Sequence, residues 1–123
     1  MLNQDVVVLI AKSTIALIDE IQHKLKTLNS SRDGMSYLVL TELYSLRTRT
    51  YILANESQFF QLDQEIQGTV VMNEFKTLKE KIVVTKDLLL LKKIVFLISM
   101  LISSIGVGEV ENILKIFKKL DNL

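Results

Sequence analysis

Between Ile94 and Gly108 the chain carries no charged side chain, and the apolar character reaches back to Leu88 if Lys92 and Lys93 are tolerated. Such a stretch has two outlets: a membrane span, which needs about 20 apolar residues, or the central helix of a protein core. The uncharged part is short for a span, and a lysine near the middle of one costs about 2.5–3.5 kcal/mol on insertion scales. On a helical projection Lys92, Ser99, Ser103 and Gly106 fall on one narrow line and, Lys93 and Ser104 apart, every other position is apolar, the pattern of a helix surrounded by other helices. The expectation is a buried core helix over about 88–105.

The rest of the chain offers helices to surround it. There is no proline and there are only four glycines, whereas average usage gives about six prolines in this length; the strongest breaker of helices and central strands is missing. Gly34, after the polar run Asn29 to Asp33, and Gly68, Gly106 and Gly108 all fall between periodic segments, where helix C-caps and turns are expected. The segment from Asn3 to Leu28 sets Val8, Ala11, Ile15, Ile18 and Leu25 on one line, with Ile10, Leu17, Ile21 and Leu28 on the next and Lys12, Asp19, His23 and Lys26 opposite. A second helix starts near Met35 with Val39, Leu43, Leu46 and Leu53 inward and Thr41, Glu42, Ser45, Thr48 and Arg49 outward. Its apolar phase then shifts to Phe59, Leu62 and Ile66, which predicts a break near 55–57 and leaves open whether one helix or two run to Gln67.

From Thr69 the stripe Val71, Phe75, Leu78, Ile82, Thr85, Leu89 runs into the apolar stretch without punctuation. One helix of that combined length would be about 50 Å long, too long for a compact domain of this size, so a bend is expected near Thr85 to Asp87. The last helix, Glu109 to Leu120, lines up Val110, Ile113, Leu114, Phe117 and Leu120, with acids in its first turn and lysines in its last, as the helix dipole favours. The predicted fold is all-α: a single domain over 1–123, a compact antiparallel bundle of four to five helices around the apolar one. A folded chain of this mass buries about two thirds of its extended surface, enough for one core.

Composition removes several chemistries. With no cysteine there are no disulfides, thiolate nucleophiles or cysteine metal sites. A single histidine, His23, stands in a lone Glu20-x-x-His23 pair on the polar face, and di-iron bundles need two such pairs plus further glutamates; no metal and no cofactor is expected. Fifteen basic residues against 14 acidic give no global field to draw in nucleic acid or an anionic membrane. Phosphate-binding, dinucleotide-binding, nucleophile-elbow and zinc-protease motifs are absent. An enzyme is not expected. The first residues lack the basic region that opens a secretory signal, so the expected location is cytoplasmic.

Three residue patterns invite a function. All three tyrosines, Tyr37, Tyr44 and Tyr51, sit at heptad spacing on the second helix, with Arg47 between the last two; tyrosine and arginine are enriched at the energetic centres of protein interfaces. The alternative is that these rings border the protein's own core, hydroxyls in water. Ser99, Ser103 and Gly106 give the apolar helix a small-residue line along which another helix can approach closely. Lys79, Lys86 and Lys93 also repeat every seven residues, a phosphate-contacting line in principle, though no aromatic interleaves them to stack bases and a solvated helix face explains them as well. The functional expectation is a non-catalytic, self-associating protein–protein interaction module that scaffolds, binds or inhibits a macromolecular partner through Tyr37, Tyr44, Arg47 and Tyr51, with no small-molecule substrate. The alternatives are a small membrane-associated effector or immunity-type protein using residues 88–108, and a nucleic-acid accessory protein using the Lys79, Lys86, Lys93 face.

Overall fold

The computed structural model describes residues 3–28 and 34–123, and all the regular structure among them is helical. Five α-helices follow in order: α1 Asn3–Thr27, α2 Gly34–Asn55, α3 Gly68–Val84, α4 Leu88–Val107 and α5 Val110–Asp121, with a single 3-10 turn at Ser57–Phe59 after α2. Consecutive helices alternate in direction, as an antiparallel bundle requires. The pairs Arg47–Asp19 and Arg47–Gln22 set α2 against α1. Lys24 near the end of α1 donates to the Val83 carbonyl near the end of α3 at 2.6 Å, so α1 and α3 lie side by side in the same direction. Around the bundle the order is α3, α1, α2, α4, α5, with α5 closing back on α3.

The interior is one continuous apolar cluster contributed by all five helices. In α4, Leu91, Ile94, Val95, Ile98, Leu101 and Ile105 have no exposed surface at all, so the inner side of the stretch that most constrained the sequence lies in the core, against α2, α5 and α1, and the helix is one member of the ring and not its central element. Its cover is incomplete. Leu89, Phe96, Met100 and Val107 form an outward strip, and α4 is long and apolar enough, at a mean hydropathy of 2.2, to cross a membrane. The expected inward lines of the other helices hold with exchanges. In α1 and just after it Val8, Ile15 and Leu28 are only half-buried, while Val6, Val7 and Thr14 are buried. Leu89, expected at the end of the α3 stripe, is exposed, and in α5 Ile116 is buried where Leu114 was expected; Leu114 is exposed. Phe117 instead completes its contact edge-on with Phe75 of α3, ring centroids 6.3 Å apart.

The breaks have local causes. Helix α3 ends because Thr85 turns extended, and its hydroxyl accepts a hydrogen bond from the Asp87 amide at 3.0 Å. Asp87 then caps α4, its carboxylate accepting from the Leu89 amide at 2.9 Å. The segment from Phe60 to Gln67 is not a second helix: its apolar residues act singly as anchors, with Leu62 and Ile66 buried and Phe59 in water. Asn3 and Gln4 of α1 hold this connection by donating to the Leu62 carbonyl and the Ser57 hydroxyl.

The glycine reading is corrected at three of four positions. Only Gly108 is a helix C-cap, at φ +85°. Gly34 and Gly68 open helices, and Gly106 lies inside the last turn of α4; the polar run 29–33 falls outside the described residues. At Gly108 the backbone of α4 passes directly over Gln61, where a Cβ would collide with the Gln61 carbonyl oxygen. The closeness is used: the Asp63 amide donates to the Gly108 carbonyl at 2.9 Å, and the Asp63 carboxylate accepts from the Val110 amide at 3.0 Å, capping α5.

Candidate interaction surface

Helix α2 presents two apolar faces. Val39, Leu43, Leu46 and Leu53 are buried, as their i, i+3, i+4, i+7 spacing requires. On the far side Tyr37, Tyr44 and Tyr51 stand 69%, 62% and 45% exposed, so their rings lie largely in water, with Tyr44 also lining a cleft beside Leu25 and Leu40. One residue after each tyrosine a second column runs parallel to the first: Leu38, Ser45 and Ile52, all exposed. Thr41 and Thr48 fill the space between. From Tyr37 to Ile52 this outer face spans more than four turns, about 22 Å, without one charged side chain. Protein surfaces ordinarily carry about 25–35% charged residues, so a charge-free strip of this length in a chain with 24% charged residues is a marked local departure.

One edge of the strip is held to α1 by an ion pair, and the other to α4 by hydrogen bonds from an ion pair within α2. Toward α1, the Arg47 guanidinium donates to Asp19 at 2.6 Å and to Gln22 at 2.9 Å; the bond to the Asp19 carboxylate, ahead of the opposing desolvation, raises its already high pKa. Arg47 therefore borders the tyrosines but is engaged within the fold. Toward α4, the Glu42 carboxylate accepts from the Ser99 hydroxyl at 2.7 Å and from Arg49 at 3.0 Å, while Arg49 also reaches the Ser103 hydroxyl at 3.4 Å. Ser99 and Ser103 do face α2, but as hydrogen-bonding groups as well as small ones. Gly106 does not belong with them: it faces Phe60 of the connection, and a Cβ there would meet only a ring carbon at 4.0 Å, an ordinary contact.

Sequence reasoning found the tyrosine column and missed the other. Thr41, Ser45 and Thr48 read as the ordinary polar side of an amphipathic helix, and Leu38 and Ile52 belong to neither the inward line nor the tyrosine stripe. Their heptad spacing, displaced one residue from the tyrosines, was the available signal. The lysine line is lost in the structure. Lys79 is on α3, 4.0 Å from Glu20, Lys86 is in the break before α4, and Lys93 is on α4, so the three share no helix face because α3 stops at Val84. Glu20 is drawn to Lys79 and His23 is exposed. No group of three or more metal-ligating side chains occurs among the described residues.

One titratable group stands apart. Glu74 of α3 is desolvated and faces Asp121 at the end of α5, which pushes its pKa from the usual 4.5 up to about 7 despite Lys81 nearby; one of its oxygens is buried without a hydrogen-bond partner. Between pH 4.5 and 7 the folded chain holds a proton that the unfolded chain has released, so stability is greatest below the lower value and falls as pH rises through the higher. The melting temperature should be lower at pH 8 than at pH 5. Glu74→Gln should raise it at pH 8 and shrink the difference; an unchanged pH dependence in the variant would contradict this placement of the proton.

No family model matches the chain, and no curated protein or solved structure matches it. What the surface does is read from its own chemistry.

Proposed function

We propose that the protein is a non-catalytic interaction module that self-associates, and through that association scaffolds, binds or inhibits a macromolecular partner, using the outer face of α2. The observation that carries this reading is the exposed strip with tyrosines at heptad spacing and no charge over its whole length. Tyrosine supplies contact area at low entropic cost, and depletion of charge is the compositional mark of an interface centre. Arg47 contributes as a fixed border of the strip. The test is substitution at its middle. Thr48→Glu places a charge between the two columns and exchanges threonine for a better helix former, so helicity by circular dichroism should be kept while association by light scattering is lost. Tyr44→Ala should weaken association in the same direction. Unchanged association in both would count against the reading.

A second reading has its own observation. The outward strip of α4 carries Phe96 and Met100, and Lys93 and Lys119 flank a shallow apolar hollow at its side together with Leu97 and Leu123. Apolar side chains rimmed by lysines suit an anionic lipid surface. On this reading the protein is membrane-associated, and it would sediment with vesicles in proportion to their anionic lipid content. The core position of α4 supports a chain that folds in water, and with it the cytoplasmic location, ahead of this alternative.

A further inference from the structure

The arrangement on the outer face of α2 has a symmetry that a generic binding surface does not need. The tyrosine column is centred on Tyr44, flanked at one heptad by Tyr37 and Tyr51, and the second column on Ser45, flanked at one heptad by the larger Leu38 and Ile52. Thr41 and Thr48 are equidistant from the point between Tyr44 and Ser45. The face therefore reads nearly the same in both directions from that point.

We infer that the occupant of this face is a second copy of the chain, docked antiparallel about a two-fold axis that passes between Tyr44 and Ser45. This rests on the reading of α2 as the contact surface and goes further by fixing the partner, the direction and the register. A two-fold axis perpendicular to the helices keeps each column on its own side, so tyrosine packs on tyrosine and Leu38 on Ile52 of the second copy, a self-complementary interface in which i meets j and j meets i. Thr41 falls level with Thr48 of the second copy, and the paired Ser45 residues let the backbones approach at the centre. The edge toward α4 agrees in charge. The same operation brings Glu42 to within roughly 3 Å along the axis of Arg49 of the second copy, opposite charges at the positions where flanking residues of paired helices meet. A parallel pair loses these matches, since each tyrosine column then faces the Leu38, Ser45, Ile52 column.

The absence of cysteine from the whole chain makes the register directly testable. A disulfide needs Cα atoms closer than about 7 Å. In the inferred pair the two Ser45 positions meet at the two-fold axis, whereas the two Leu38 positions lie about 20 Å apart along the helix direction. Under mild oxidation Ser45→Cys should be trapped as a covalent dimer, Leu38→Cys alone should not, and mixing Leu38→Cys with Ile52→Cys should restore cross-linking between the two. All three positions are exposed, and unchanged circular dichroism verifies that each variant folds. Self-cross-linking of Leu38→Cys, whose two copies are too far apart to bridge in the inferred pair, would overturn the inference while leaving α2 as the contact surface. Association that Thr48→Glu abolishes, without cross-linking at Ser45, would likewise refute the register alone. Association that Thr48→Glu leaves intact would remove the surface and the inference together.

Discussion

Ile98→Ala should destabilise the protein by about 2–5 kcal/mol, whereas Met100→Lys, two residues further along the same helix, should change stability by no more than about 0.5 kcal/mol. Ile98 has no exposed surface and Met100 is 48% exposed. Truncating Ile98 removes atoms that fill the space between α4 and its neighbours, and rigid helices on several sides can close the gap only in part. At Met100 the lysine ammonium projects into water along the outward strip while its methylenes lie over Phe96 and Leu97. Thermal or urea denaturation in the absence of detergent measures both. The contrast also separates environments. In a bilayer a lysine on an outward-facing position near the middle of a helix is itself costly, at about 2.5–3.5 kcal/mol, so a penalty of that size at Met100 would mean that α4 faces lipid.

The second large effect is expected at Gly108. Alanine there must adopt φ +85°, a conformation costing an L-residue roughly 1–2 kcal/mol, and its Cβ must push away the Gln61 carbonyl. That displacement strains the hydrogen bonds through which Asp63 ties the connection to α4 and caps α5, each worth about 0.5–1.5 kcal/mol. The sum, about 2–5 kcal/mol, corresponds to a melting temperature lower by on the order of 10 °C. Gly106→Ala is the matched control. It is helical, meets only a Phe60 ring carbon at 4.0 Å, and should be neutral or stabilising by up to about 1 kcal/mol. Equal effects at the two glycines would contradict the account of the α4–α5 corner.

Helix positions and breaks were legible because they rest on local chemistry. The Thr85, Lys86, Asp87 break is made by hydroxyl and carboxylate groups bonding amides two residues away, and the end of α2 coincides with the shift in apolar phase after Leu53. What could not be read depends on neighbours. Ile116 and Leu114 are both available to the inner side of α5, and only the position of α3, with Phe75 against Phe117, selects Ile116. Phe59, Leu62 and Ile66 have helical spacing, yet the connection uses Leu62 and Ile66 as separate anchors, which periodicity cannot distinguish from a helix stripe. Arg47 was grouped with the tyrosines by sequence distance. Its direction is set by Asp19 on another helix, information that spacing within α2 does not contain.

The same limit governs the surface itself. Exposure of the tyrosines follows from α1 and α4 packing against the flanks of α2, through Arg47 on one side and Glu42 and Arg49 on the other, so that the outer side of α2 is left uncovered. Heptad spacing announced a stripe but could not say whether it faced inward or outward.

The central claim is that this uncovered, charge-free side of α2 joins copies of the chain in water. The most direct measurement is the mass of the unmodified protein in solution, purified without detergent and followed over a dilution series. The predicted result is twice the chain mass at high concentration, falling to the monomer on dilution. A monomer at every concentration, or a protein that stays in solution only when detergent is present, would contradict it.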